Sequence, residues 1–175
     1  PIGDKQIQVG QELAFGVSAS GQPDGTVTFS ASPLPAGAKL LQLGDVTMDG
    51  RLTSLDGTRI LQFVEGSREF SKAQRFLADA NQDGTITRAD AEKVLQVVVG
   101  NQKLKNLNLF SWTPSADQAG SYIITFRATA ESTPTRKRVS ASETITITVS
   151  AAQPSLTVLS PNGGETWAKR TTQTI

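Results

Sequence analysis

The chain has 175 residues, enough for one large or two small domains with a buried core. Its 17 basic and 16 acidic side chains leave a net charge of +1, no electrostatic footprint for nucleic acid or an anionic membrane, and no apolar run approaches the roughly 20 residues of a membrane span. With neither Cys nor His, thiol nucleophiles, imidazole bases, disulfides and most zinc sites are excluded, and the chemistry left is that of oxygen ligands.

Residues 1–43 read as three short strands: "KQIQVG", "ELAFGVSAS" and "GTVTFSAS" alternate apolar and polar residues between Gly, Pro and Asp punctuation. From Gly44 to about Gly100 the apolar spacing becomes helical. Ile60, Leu61, Phe63 and Val64 form one run, Phe70, Ala73, Phe76 and Leu77 a second, and Val94, Leu95, Val97 and Val98 a third. Gly66 and Gly100 stand where helix C-terminal glycines belong. The β pattern returns in "LFSW", "SYIITFRATA" and "SETITITVS", with "PSADQAG" as a turn.

Each β block is too short to close a sandwich, which takes about seven strands and about 100 residues. The two blocks together nearly suffice. The expected fold class is therefore mixed: a β-sandwich formed by residues 1–43 and 104–150, interrupted at a hairpin tip by a small all-α insert at 44–103. After the linker "AAQP", residues 151–175 look like a truncated start of a further β-sandwich module, either packed on the first or a tail. The chain opens at Pro1 without Met or a signal peptide, so it reads as a piece of a longer polypeptide.

Within the helical part, "DVTMDGRLTSLD" at 45–56 is repeated 34 residues later as "DANQDGTITRAD" at 79–90. Both copies place Asp at positions 1, 5 and 12, Gly at 6, an aliphatic residue at 8 and Thr at 9. Calcium takes six to eight oxygen ligands, and a 12-residue loop wraps it with donors at 1, 3, 5, 7 and 12 and Gly at 6 for the sharp turn. The first loop would supply Asp45, Thr47, Asp49, the Arg51 carbonyl and Asp56; the second Asp79, Asn81, Asp83, the Thr85 carbonyl and Asp90. Thr53 and Thr87 would act through water, and Leu52 and Ile86 would pair across the loops in a small β-bridge.

One Asp-Gly turn is commonplace, but two in one register, each followed by an amphipathic helix, point to two calcium ions. Three carboxylates crowded into each loop repel one another, so metal binding is expected to be part of the folding free energy.

The stretches "LPAGAKL" and "LFSWTPSADQAGSYIITFRATA" resemble the two sides of one motif in bacterial Ig-like domains of the cadherin-like, putative-Ig type. Relatives often carry an Asp-rich calcium cluster after the second strand; here only Asp24 stands there, and no metal is expected. The segment "GDVTMDGRLTSLDGTRILQFV…FLADANQDGTITRADAEKVLQVV" resembles a dockerin over its whole length, including Asp at position 12 and the missing helix before the first loop. Thr47 departs from the usual Asn or Asp at position 3.

That resemblance implies a non-catalytic, secreted or cell-surface prokaryotic module, monomeric, which binds a cohesin on a scaffold protein. It further implies partner contacts at loop positions 10 and 11 and on the following helix: Ser54, Leu55, Leu61 and Gln62 in one repeat, Arg88, Ala89, Leu95 and Gln96 in the other. The residues alone leave Leu61 and Leu95 equally open as core. The repeats suggest two docking orientations, with Ser54-Leu55 against Arg88-Ala89 breaking the symmetry in favour of one. A rival reading is a calcium-rigidified adhesive stalk with no cohesin partner, and a third is an accessory module that binds polysaccharide. Trp112 and Tyr122 could form a sugar platform but read better as core, and "RKR" at 136–138 reads as a solvated hairpin loop. No catalytic constellation is apparent.

Overall fold

The computed structural model describes residues 1–19, 27–132 and 137–152. Asp24, Arg136 of the basic run, and the further module expected beyond the linker at 153–175 lie outside them. Among the described residues, seven strands and three α-helices follow in the order β1 (Lys5–Gln8), β2 (Leu13–Ser18), β3 (Val27–Ser32), β4 (Lys39–Gln42), α1 (Ser54–Val64), α2 (Lys72–Ala78), α3 (Arg88–Val98), β5 (Leu107–Trp112), β6 (Gly120–Ser132) and β7 (Lys137–Ser150). A four-stranded sheet has the order β1-β7-β6-β3 and a three-stranded sheet the order β2-β5-β4. All pairs are antiparallel except β1 with β7.

Strand alternation decides what each sheet covers. Phe15 and Val17 of β2, Leu40 of β4, and Phe110 and Trp112 of β5 point into the space between the sheets, where they meet Ile7, Ile124, Phe126, Ile145, Ile147 and Val149. The opposite face of the three-stranded sheet is also covered. Ala14, Leu41 and Leu109 belong to one apolar cluster with Val46, Ile60, Phe70, Ala73, Leu77, Ala91 and Val94 from the helices and their loops. A Cβ on Gly16 of β2 would stand 3.1 Å from the Phe76 ring of α2, so a glycine lets the helix approach the strand.

These contacts correct the expected fold class. The chain is a mixed α/β fold, mostly sheet, in which helices, a three-stranded sheet and a four-stranded sheet form three stacked layers; it is not an all-β Ig-like sandwich interrupted by a self-contained all-α insert. A two-sheet sandwich standing alone leaves the outer face of each sheet to solvent, whereas β5 is buried on both faces from Leu109 to Trp112. The four residues of β4, "KLLQ", carry one apolar side chain to each face and escaped the alternation test.

The helices end as their glycines dictate. Gly66 at φ 74° donates to the Phe63 carbonyl and Ser67 to that of Gln62; Gly100 at φ 81° donates to Val97 and Asn101 to Gln96, so both α1 and α3 close in the same αL cap. Trp112 is 1% exposed, lies edge-on to Tyr122 and donates its Nε1–H to the Ala36 carbonyl at 3.1 Å, which makes it core rather than a sugar platform.

Candidate functional site

The two Asp-rich stretches fold alike because their side chains bond the same amides. At position 1, Asp45 accepts from the Asp49 and Gly50 amides (3.3 and 2.9 Å), and Asp79 from those of Asp83 and Gly84 (3.1 and 3.0 Å). At position 5, Asp49 accepts from the Arg51 amide and Asp83 from that of Thr85, both at 2.8 Å. At position 12, Asp56 accepts from the Thr47 and Thr53 amides (2.9 and 2.8 Å), and Asp90 from Asn81 and Thr87 (3.1 and 2.8 Å). Gly50 and Gly84 stand at φ 87° and 91°, a conformation L side chains rarely adopt, as the sharp turn at position 6 requires.

The last carboxylate of each loop therefore belongs to both loop and helix. Asp56 and Asp90 are the third helical residues of α1 and α3 and fill the acidic place of a capping box whose N-caps are Thr53 and Thr87. At position 9 the Thr53 and Thr87 hydroxyls turn to Asp56 (3.1 Å) and Asp90 (3.4 Å) at the helix start. The expected bridge between Leu52 and Ile86 is also absent: the two segments form no strand pair among the described residues, and both side chains pack against the helical cluster instead.

Electrostatics separates the loops. Asp45 and Asp56 are fully buried, as is Asp90. Burial, the largest influence, raises the Asp45 carboxyl above its ordinary value; the Gly50 amide and Thr47 hydroxyl oppose this, while Asp56 and Asp49 add to it. Asp83 is exposed and lowered, by the Thr85 hydroxyl and amide and the Asn81 side chain. At position 3, Thr47 donates its hydroxyl to Asp45 (3.2 Å) and Asp56 (2.9 Å), where Asn81 donates to Asp83 at 2.8 Å.

Among the described residues no group of three acidic side chains is already gathered as a metal site, and each of these carboxylates accepts from amides of its own loop. The donor chemistry nonetheless fits a hard divalent cation. All the donors are oxygens, and a buried carboxylate disfavoured as an anion by burial and by two neighbouring carboxylates is what a cation relieves.

Beside the loops, α1 and α3 pack against each other, and the resemblance-implied surface residues divide. Ser54, Leu55, Arg88, Ala89 and Gln96 are exposed, and Leu55 shows 46% of its surface. Leu61 and Leu95 are half-buried: Leu61 packs on the helical cluster, and Leu95 lies over Gly57. Gln62 is half-buried and accepts from Arg59 and Arg68. The sequence reading placed Val64 and Val98 only in apolar helical runs, yet they are 41% and 39% exposed and occupy equivalent places in the two repeats near the helix ends; their matching position after each loop was the available signal.

Residues 43–98 match the family model of the dockerin type I domain. This stretch, from the end of β4 through α3, is a dockerin type I domain. A solved structure titled as the third cohesin ScaC in complex with the ScaB dockerin from Acetivibrio cellulolyticus contains a chain that is 32% identical, the match covering 37% of the present chain and 90% of that one with a TM-score of 0.35. No curated protein matches the chain.

Proposed function

We propose that the chain is a calcium-dependent, non-catalytic docking module that attaches the polypeptide carrying it to a cohesin module outside the cell. The observation that carries the reading is that the second loop repeats the first loop's amide bonds to the carboxylates at positions 1, 5 and 12, within a dockerin type I domain. Two calcium ions would be held by Asp45, Thr47, Asp49, the Arg51 carbonyl and Asp56, and by Asp79, Asn81, Asp83, the Thr85 carbonyl and Asp90. The ions would supply the positive charge that these carboxylates lack.

The chain's own residues relay loop order to the helices. Asp56 joins Thr47, near the start of its loop, to Thr53 at the N-cap of α1, and Asp90 joins Asn81 to Thr87 in the same way. Any tightening of a loop is thus a tightening of its helix start. The exposed apolar side chains Leu55, Val64 and Val98 beside the polar Ser54, Arg88 and Gln96 provide the kind of mixed surface that partner modules cover. No described helix is long and apolar enough to cross a membrane.

The test is titration calorimetry of the full chain against type I cohesins, in calcium and in chelator. Binding in calcium that vanishes in chelator supports the reading. Uptake of calcium with no binding to any cohesin favours the stalk, and retention on insoluble glycan in chelator favours an accessory module.

A further inference from the structure

The two loops are near copies in sequence, yet they are mounted on different elements. Loop 79–90 lies between α2 and α3, and among the described residues it makes no hydrogen bond to a strand. Loop 45–56 begins three residues after β4 and is tied to the three-stranded sheet. The Leu43 amide continues the β4–β5 ladder by donating to the Leu107 carbonyl at 3.3 Å, and the Asp45 amide donates to the last carbonyl of β4, Gln42, at 3.1 Å. From the other side, Lys39 of β4 reaches forward and places its ammonium on the Met48 carbonyl at 2.7 Å.

Packing reinforces the ties. Leu43, Asp45 and Val46 are each at most 1% exposed, and between them Gly44, at φ 90°, donates to the Leu77 carbonyl at 2.9 Å. A Cβ on Gly44 would stand 2.9 Å from Leu52, 3.1 Å from Val94 and 3.3 Å from Leu104, so strand end, first loop, α3 and the segment leading into β5 meet at one point. The first ligand position therefore cannot move without disturbing the end of β4, whereas Asp79 is half-buried at the end of a helix.

We infer that the first cation loop and the β4–β5 strand pair open and close as one local unit, so that a cation held by Asp45 and its neighbours acts directly on the end of the strand pair, while the second loop is joined directly to helices only. This rests on the calcium reading of the preceding section. Linkage makes the coupling reciprocal: the sheet, by holding the loop in place, raises the affinity of the first site over that of its copy.

Amide hydrogen exchange of the full 175-residue chain tests it, with calcium and with EGTA, alongside calorimetry that counts bound calcium. At about a hundred times Kd, calcium slows exchange of the Leu43 and Gly44 amides by up to about a hundredfold, with the β6–β7 amides unchanged. Asp83→Ala, in the second loop, leaves that slowing in place; Asp49→Ala, in the first, abolishes it. Both side chains are at exposed positions, and the wild-type comparison needs neither variant. Two bound ions with no change at Leu43 and Gly44, or equal loss of the slowing in both variants, overturns the inference. No calcium uptake at all overturns the calcium reading and the inference with it, and calorimetry separates that failure from the first.

Discussion

Gly57 of α1 sits directly under Leu95 of α3: a Cβ on the glycine would lie 2.9 Å from Leu95 Cγ and 3.3 Å from the Ala91 carbonyl oxygen. Gly57 and Ala91 occupy the same place in the two repeats, so the helices cross where both are small. Gly57→Ala gains at most about 1 kcal/mol in helix propensity. The clash falls on a branched carbon and on backbone, neither of which yields easily, and overpacking of this kind costs about 1–3 kcal/mol. The net expectation is destabilisation by about 1 kcal/mol, read from urea unfolding followed by far-UV circular dichroism. A more stable variant would show that the crossing has slack.

Leu109 joins the layers. It is fully buried on the helix-facing side of β5, while its neighbour Phe110 faces the other sheet. Leu109→Ala is expected to cost about 2–5 kcal/mol, and to lower the unfolding midpoint of helix and sheet signals together. Separate transitions, with only one displaced, would mean that the helical layer folds independently of the strands.

Chelation should act unevenly on the spectrum. Two sites each loaded at about a hundred times Kd add about 2.7 kcal/mol apiece to the state that binds, so EGTA is expected to lower the melting temperature and reduce the helical signal more than the sheet signal. Calcium that leaves both unchanged would contradict the proposed ligand set.

Glu143 of β7 fastens the segment before β1. Its carboxylate accepts from the Gly3 amide at 3.1 Å and from the Ile2 amide, and these bonds, with Gly3 foremost, hold it below its usual range. A carboxyl lowered in the folded state stabilises the fold above its ordinary pKa and ceases to do so as pH falls through the lowered value. Stability should therefore decline below about pH 4.5 by an increment that Glu143→Gln abolishes. Thermal melts of both proteins across that range check this; parallel curves would assign the acid sensitivity to other groups.

On the partner surface, Leu55→Lys removes an exposed apolar side chain without touching a proposed ligand. Loss of a central contact at an interface costs about 2 kcal/mol or more, so cohesin affinity is expected to fall at least about thirtyfold with an unaltered melting temperature. Unchanged affinity would move the contact surface away from the start of α1.

The loops and helices were legible because their signals are local: an Asp–Gly register, apolar residues at helical spacing, and glycines at the helix ends. What stayed hidden depended on residues far apart in sequence. The approach of Phe76 to Gly16 spans 60 positions, and nothing near either residue announces it. The burial of β5 on both faces was hidden in the same way, since "LNLFSW" reads alike whether helices or water lie above Leu109. Leu52 and Ile86 failed in the opposite sense: matching positions in two repeats suggested that they pair with each other, when both had a common core to join.

The parallel pairing of β1 with β7, Lys5 opposite Ile147 and Gln8 opposite Ser150, has a mechanical meaning. Tension applied at the two ends of this segment would pull these strands along their length in opposite directions, loading the rungs between them in shear rather than peeling them one by one. The force would run through the four-stranded sheet, and the helices, slung from β4 and β5 in the other sheet, would stay off its path.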